Sequence, residues 1–145
     1  MEQLQVKDME QGAEFDLGTV TLSEQDIIDF AKAFDPLDFH TDPEAAKKSI
    51  FKGLVASGPH IFTYVHRTQW IPRFGHTVLA GLEVNHWKFL KPVYADKPIS
   101  GRVTIISVKP NPEKGYMAVT WLYEFRNEKT EMVQSLEMTV LHKIA

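Results

Sequence analysis

The spacing of apolar residues changes along the chain, and each change predicts an element. After Ser23, the residues Ile27, Ile28, Phe30, Ala31 and Phe34 recur at helical spacing, which predicts a helix starting near Ser23. Ser23 suits the N-cap, and Asp26 three residues later completes a capping-box pattern with acids favoured in the first turn. Asp35-Pro36 stops this helix, because the residue before a proline is pushed out of the helical region. A short second helix is expected at Asp42-Pro43-Glu44, with Asp as cap and Pro in the first turn. Between them, Asp35 to Thr41 reads as an irregular, ordered loop. A further loop, Ile50 to Ala56, leads to Ser57-Gly58-Pro59, where Ser57 is placed to cap a long helix running to about Trp70. Ile61, Phe62, Tyr64, Val65 and Trp70 make that helix apolar over most of its surface, the mark of a buried helix.

From Val78 the period becomes two. Met117, Val119, Trp121, Tyr123 and Phe125 fall on one side of a strand, and Met132, Leu136, Met138 and Val140 repeat the alternation. Val78–Leu90 and Ile99–Lys109 supply two more strands, and Asn111–Gly115 and Asn127–Thr130 are expected hairpin loops. The layout is α+β, a helical first half followed by an antiparallel sheet that wraps one long apolar helix.

With 145 residues, no linker rich in Gly, Ser or Pro and no repeat, residues 1–145 are read as a single domain. Cysteine is absent, which excludes disulfides, thiolate metal sites and a cysteine nucleophile. The longest stretch free of Asp, Glu, Lys and Arg spans fourteen residues between Lys52 and Arg67, short of the roughly 20 that a membrane helix needs. Nor does the start Met1-Glu2-Gln3-Leu4 carry the basic and apolar blocks of a signal peptide, so a cytoplasmic location is expected. A net charge of −3 argues against a nucleic-acid or membrane-surface binder. Charge is unevenly placed, however. Residues 1–44 carry twelve acids and two bases, whereas residues 45–82 carry five bases and no acid. Those bases (Lys47, Lys48, Lys52, Arg67 and Arg73) are candidates to face an anionic ligand.

The candidate chemistry lies in Asp35-Pro36-Leu37-Asp38-Phe39-His40. A carboxylate and an imidazole five residues apart do not share a helix face, but a folded loop can aim both at one water molecule. A helix terminator and an ordinary loop histidine would have the same spacing. The histidines His60, His66, His76, His86 and His142 give no i,i+4 metal pair, so no metal site is expected. Ser57 lacks the glycine two positions before it that a nucleophile elbow requires.

Phe34-Asp35-Pro36-Leu37-Asp38-Phe39-His40-Thr41-Asp42-Pro43-Glu44-Ala45-Ala46, followed by Phe51-Lys52-Gly53-Leu54-Val55-Ala56-Ser57-Gly58, resembles the hydratase motif of the MaoC-like dehydratase family. The resemblance extends over roughly residues 15 to 142, through Gly81-Leu82-Glu83 and Phe89-Leu90-Lys91-Pro92-Val93. It implies the hot-dog fold and an (R)-specific enoyl-CoA hydratase activity: reversible syn addition of water to a trans-2-enoyl thioester. Asp35 and His40 match the family's catalytic pair. Gly58 matches the glycine whose amide binds the thioester carbonyl, with Ser57 a further substrate contact. It also implies a homodimer, a coenzyme A or acyl-carrier-protein thioester as substrate, and no metal or redox cofactor. Two departures stand out. Leu37 and Asp38 replace the usual Asn-Pro, which sets a second carboxylate near Asp35, and Ser57-Gly58 replaces His-Gly. A thioesterase is disfavoured because no acid lies between Glu44 and Glu83, and a non-catalytic dimeric acyl-CoA-binding domain is the remaining rival. Phe62, Tyr64, Trp70, Phe74 and Trp87 read as core, or as the walls closing an acyl tunnel.

Overall fold

The computed structural model describes residues 2–144. Five antiparallel strands form one sheet in the order β1-β3-β4-β5-β2. They are β1 (Glu14–Thr21), β2 (Val78–Phe89), β3 (Pro98–Asn111), β4 (Tyr116–Arg126) and β5 (Met132–Lys143). The helices are α1 (Glu24–Phe34), α2 (Asp38–Thr41), α3 (Pro43–Lys47), α4 (Gly58–Val65) and α5 (Ile71–Phe74). The sheet curls round α4 and α5, the hot-dog arrangement expected.

Alternation in β4 is complete: every residue from Met117 to Phe125 at odd positions is buried, and the even ones are half-buried. That inner face meets α4 and the turn after it through edge-on aromatic pairs. Phe62 packs on Tyr123 with ring centroids 5.0 Å apart, and Trp70 on Trp121 at 5.3 Å. The capping box at Ser23 and Asp26 and the Asp42 cap of α3 form as read from the sequence.

Four expectations need correction. The first half is not wholly helical, since β1 pairs with β3. Its alternation (Phe15, Leu17, then Val20) is broken by a bulge at Gly18, whose φ of +79° suits glycine and whose N–H donates to Asp16 Oδ1. The long helix does not stop near Trp70. It widens into a π-helical turn at His66–Trp70 and resumes as α5. Pro72 lacks the N–H that would close a regular turn, and the chain instead bonds Ile71 N–H to His66 O. Asp35 to Thr41 contains a helical turn, α2. Met132 is half-buried, whereas Val133 and Gln134 are both buried, because the β4–β5 register shifts beside the hairpin.

β2 lies at one edge of the sheet and is exposed along nearly its whole length, including Leu79, Leu82, Val84 and Phe89. Among the described residues no helix is long and apolar enough to cross a membrane.

Candidate active site

Asp35 closes α1 as its C-cap, with its N–H bonded to Ala31 O, and Pro36 then turns the chain away. A tight Leu37 N–H to Asp35 O contact starts the turn that becomes α2, bringing His40 back toward Asp35. The extended segment after Leu54 threads past this turn. Val55 N–H reaches Phe39 O at 3.3 Å, and Ala56 N–H reaches Val93 O at 2.8 Å. That path sets Val55 O beside the His40 ring and Ser57 beside Asp35.

His40 is 6% exposed, and its Nδ1 lies 2.6 Å from Val55 O. A carbonyl can only accept, so Nδ1 carries the proton and Nε2 of the neutral ring keeps its lone pair. Nε2 faces Asp35 Oδ2 at 3.5 Å, beyond direct hydrogen-bond range. Two acceptors held so close attract a shared proton donor, and a water molecule fits that requirement. Ser57, 1% exposed, donates its hydroxyl to the same Oδ2 at 2.6 Å. Ser57 therefore does not cap α4 with its side chain as the sequence suggested; its hydroxyl is committed to the carboxylate.

The three residues border a cavity of about 510 Å³ that Gly58 and Gln134 also line, with Phe39, Phe51, Phe89 and Val93 among its apolar walls. A second, almost wholly apolar hollow of about 450 Å³ lies against Asp35 and Ser57, between Phe30, Phe34, Pro59 and Thr63. As the first residue of α4, Gly58 has an N–H with no partner inside the helix, at the positive end of the helix dipole. Gln134 gave no sequence signal, being one polar residue in an alternating strand. It donates from Nε2 to Gly58 O at 2.9 Å, and its Oε1 accepts from Trp87 Nε1 at 2.8 Å.

Other candidates lie elsewhere. Asp38 is exposed in the first turn of α2 and is not among the cavity-lining residues. Nor does any of Lys47, Lys48, Lys52, Arg67 and Arg73 line the cavity. Lys47 pairs with Glu44, and Arg73 bonds Asp16 O. The cation at the cavity is Lys91, which also pairs with Glu131. Phe62, Trp70 and Phe74 are buried core and do not line the cavity. Burial pushes His60 down to about 4 against the opposing pull of Asp26, and it also lowers His66. Among the described residues no group of three or more His, Asp or Glu is arranged to hold a metal ion.

A family model described as MaoC like domain matches residues 7–123. The chain belongs to the MaoC-like dehydratase family. This assignment supports a hydratase or dehydratase class for the protein. The chain is 35% identical over 135 residues to the uncharacterized protein YdeM of Bacillus subtilis (strain 168), covering 91% of this chain and 94% of that one. Among solved structures, the MaoC-like dehydratase from Rhodospirillum rubrum superposes with a TM-score of 0.84 at 26% identity, over 97% of each chain. R-hydratase PhaJ1 from Pseudomonas aeruginosa superposes with a TM-score of 0.80 at 18% identity, covering 99% of this chain and 88% of that one; it shares the fold.

Proposed function

We propose that this MaoC-like protein adds water reversibly to a trans-2-enoyl thioester, giving an (R)-3-hydroxyacyl thioester, and that Asp35, His40 and the Gly58 amide carry the reaction. The observation that supports it most is the facing of His40 Nε2 and Asp35 Oδ2 at 3.5 Å on the wall of an apolar cavity that also meets the start of α4. Water held by Asp35 gives one proton to His40 Nε2 as its oxygen bonds to C3 of the substrate. The C2=C3 electron pair moves toward the thioester carbonyl, and the Gly58 N–H at the helix start receives the developing oxyanion. The imidazolium, held by Val55 O on one side and Asp35 on the other, then returns its proton to C2. Atoms balance: one water is consumed, and His40 ends as it began. Ser57 does not touch substrate in this scheme. It fixes the carboxylate by its hydrogen bond.

The carrier is coenzyme A or acyl carrier protein, and the protein works as a homodimer in the cytoplasm. Exposed apolar residues along the edge strand β2 support the dimer, since a long open edge of this kind is stabilised by a covering partner.

Crotonyl-CoA tests the reading. Loss of enoyl absorbance without thiol release is expected. Thiol release would mean hydrolysis, and tight binding without turnover would mean a non-catalytic acyl-CoA-binding domain.

A further inference from the structure

We infer that Gln134 is a positioning residue for the Gly58 amide, and that Trp87 and Phe89 complete the clamp that holds the start of α4 at the cavity. The inference rests on the proposed role of Gly58.

Gln134 sits on β5 opposite Phe89 of β2 and is 3% exposed. A buried carboxamide is costly unless its groups are bonded. Here Nε2 donates to Gly58 O and Oε1 accepts from Trp87 Nε1. The Trp87 indole can only donate, so this contact also fixes which end of the amide faces Gly58. Gly58 is pinned on another side by the Phe89 ring. A Cβ built on Gly58 would lie 2.6 Å from Phe89 Cε1, so any larger residue there would push the ring aside. Upstream, the Ala56 N–H to Val93 O bond fixes the incoming strand. Gly58 O belongs to the Gly58–Pro59 peptide, so Gln134 holds the Gly58 N–H indirectly, through the backbone of the glycine between them.

Trp87, half-buried, turns toward Gln134, and Phe89, largely exposed, lies over Gly58 where β2 is irregular. The register with β5 shifts between Asn85 and Lys88, and His86 has a φ of +52°. A bulge of this kind re-aims the side chains that follow it. A non-glycine residue in the left-handed region is uncommon and costs free energy, so it persists only where the surroundings hold it. A contact between His86 Nδ1 and the Glu137 carboxylate of β5 spans the irregularity. The edge strand therefore carries strain at the point where it brings Trp87 to Gln134 and Phe89 to Gly58. A plain structural strand end would need neither the strain nor a buried amide aimed at a helix terminus.

Three variants and one spectroscopic reading test this. With crotonyl-CoA, Gln134→Leu should lower kcat about tenfold or more while KM stays nearly constant, because a misplaced oxyanion donor acts in the transition state. Trp87→Phe, which keeps an aromatic ring but removes the N–H that orients the amide, should lower kcat in the same direction by less. Gln134→Glu supplies an internal rescue. Its carboxylate cannot donate to Gly58 O, but its protonated form can, so variant activity relative to the parent should rise as pH falls. In unliganded protein, the Gly58 amide resonance should move in Gln134→Leu while those of Ile27–Phe34 stay in place. That measurement is independent of turnover. Should the parent prove inactive on enoyl thioesters while the Gly58 resonance still moves, the reaction fails and the clamp stands. Unchanged kcat in Gln134→Leu and Trp87→Phe, a flat Gln134→Glu ratio or an unmoved Gly58 resonance would each overturn the clamp.

Discussion

His40 and His142 are both buried, and they differ in what is left unbonded. His142 lies in the core under Trp121 with both ring nitrogens committed. Nδ1 meets Thr77 Oγ1 at 2.8 Å, and Nε2 accepts from Trp121 Nε1 at 3.2 Å. Burial, helped by the charge of His76, pushes its pKa down to about 4, so the ring stays neutral near pH 7. His40 has one nitrogen committed, to Val55 O, and the other aimed across a cavity at a carboxylate. Burial alone makes a histidine inert. A single free nitrogen with a charged neighbour and room for water makes it useful.

The sharpest way to break this contrast is to exchange the effects. His40→Ala and Asp35→Asn should each lower kcat for crotonyl-CoA by about 100- to 10,000-fold per folded molecule, with the fold retained in the absence of urea. Full turnover in either variant would remove the distinction. His142→Leu should do the opposite. It orphans the buried Trp121 N–H and should cost about 1–3 kcal/mol in urea unfolding, with kcat unchanged per folded molecule.

Acid titration sharpens the same difference. An unfolded His142 takes up a proton near pH 6.5, whereas the folded ring refuses it until about pH 4. The unfolded state therefore binds more protons in that window, and stability is full above pH 6.5 and falls toward pH 4 by up to about 1.4 kcal/mol per pH unit for this group. His60 acts in the same sense. Urea midpoints of the parent and His142→Gln across this range should converge as pH falls; parallel curves would refute the linkage. Ser57→Ala has the smallest expected effect, about a tenfold loss of kcat with KM retained, because one hydrogen bond to a charged group is removed. A rise in KM without loss of kcat would return Ser57 to substrate binding.

Much of the fold was legible because its signals are local. The Ser23–Asp26 capping box, the Asp42 cap before Pro43 and the β4 alternation each depend on neighbours within a few residues. β1 was missed although Phe15 and Leu17 alternate, because the bulge at Gly18 breaks the period after one repeat. In the site, Asp35 and His40 stood out as a carboxylate and an imidazole in one loop, and Gly58 only through the family resemblance; the structure places all three at one cavity. Ser57 was found with the wrong partner, since a serine before a helix has the same sequence context whether it caps or reaches another chain segment.

The amino-acid sequence determined by itself where α1 begins and ends, where α3 begins and roughly where the late strands lie, and which loop holds a carboxylate and an imidazole. Those choices follow from backbone preferences and hydrophobic period, which act over a turn or two. Only the tertiary structure decided that Ser57 reaches Asp35 across 22 residues, and that Gln134 reaches Gly58 across 76. A hydrogen bond between distant segments depends on how the sheet curls round the helix and on a bulge in β2, and no short window of sequence encodes either distance.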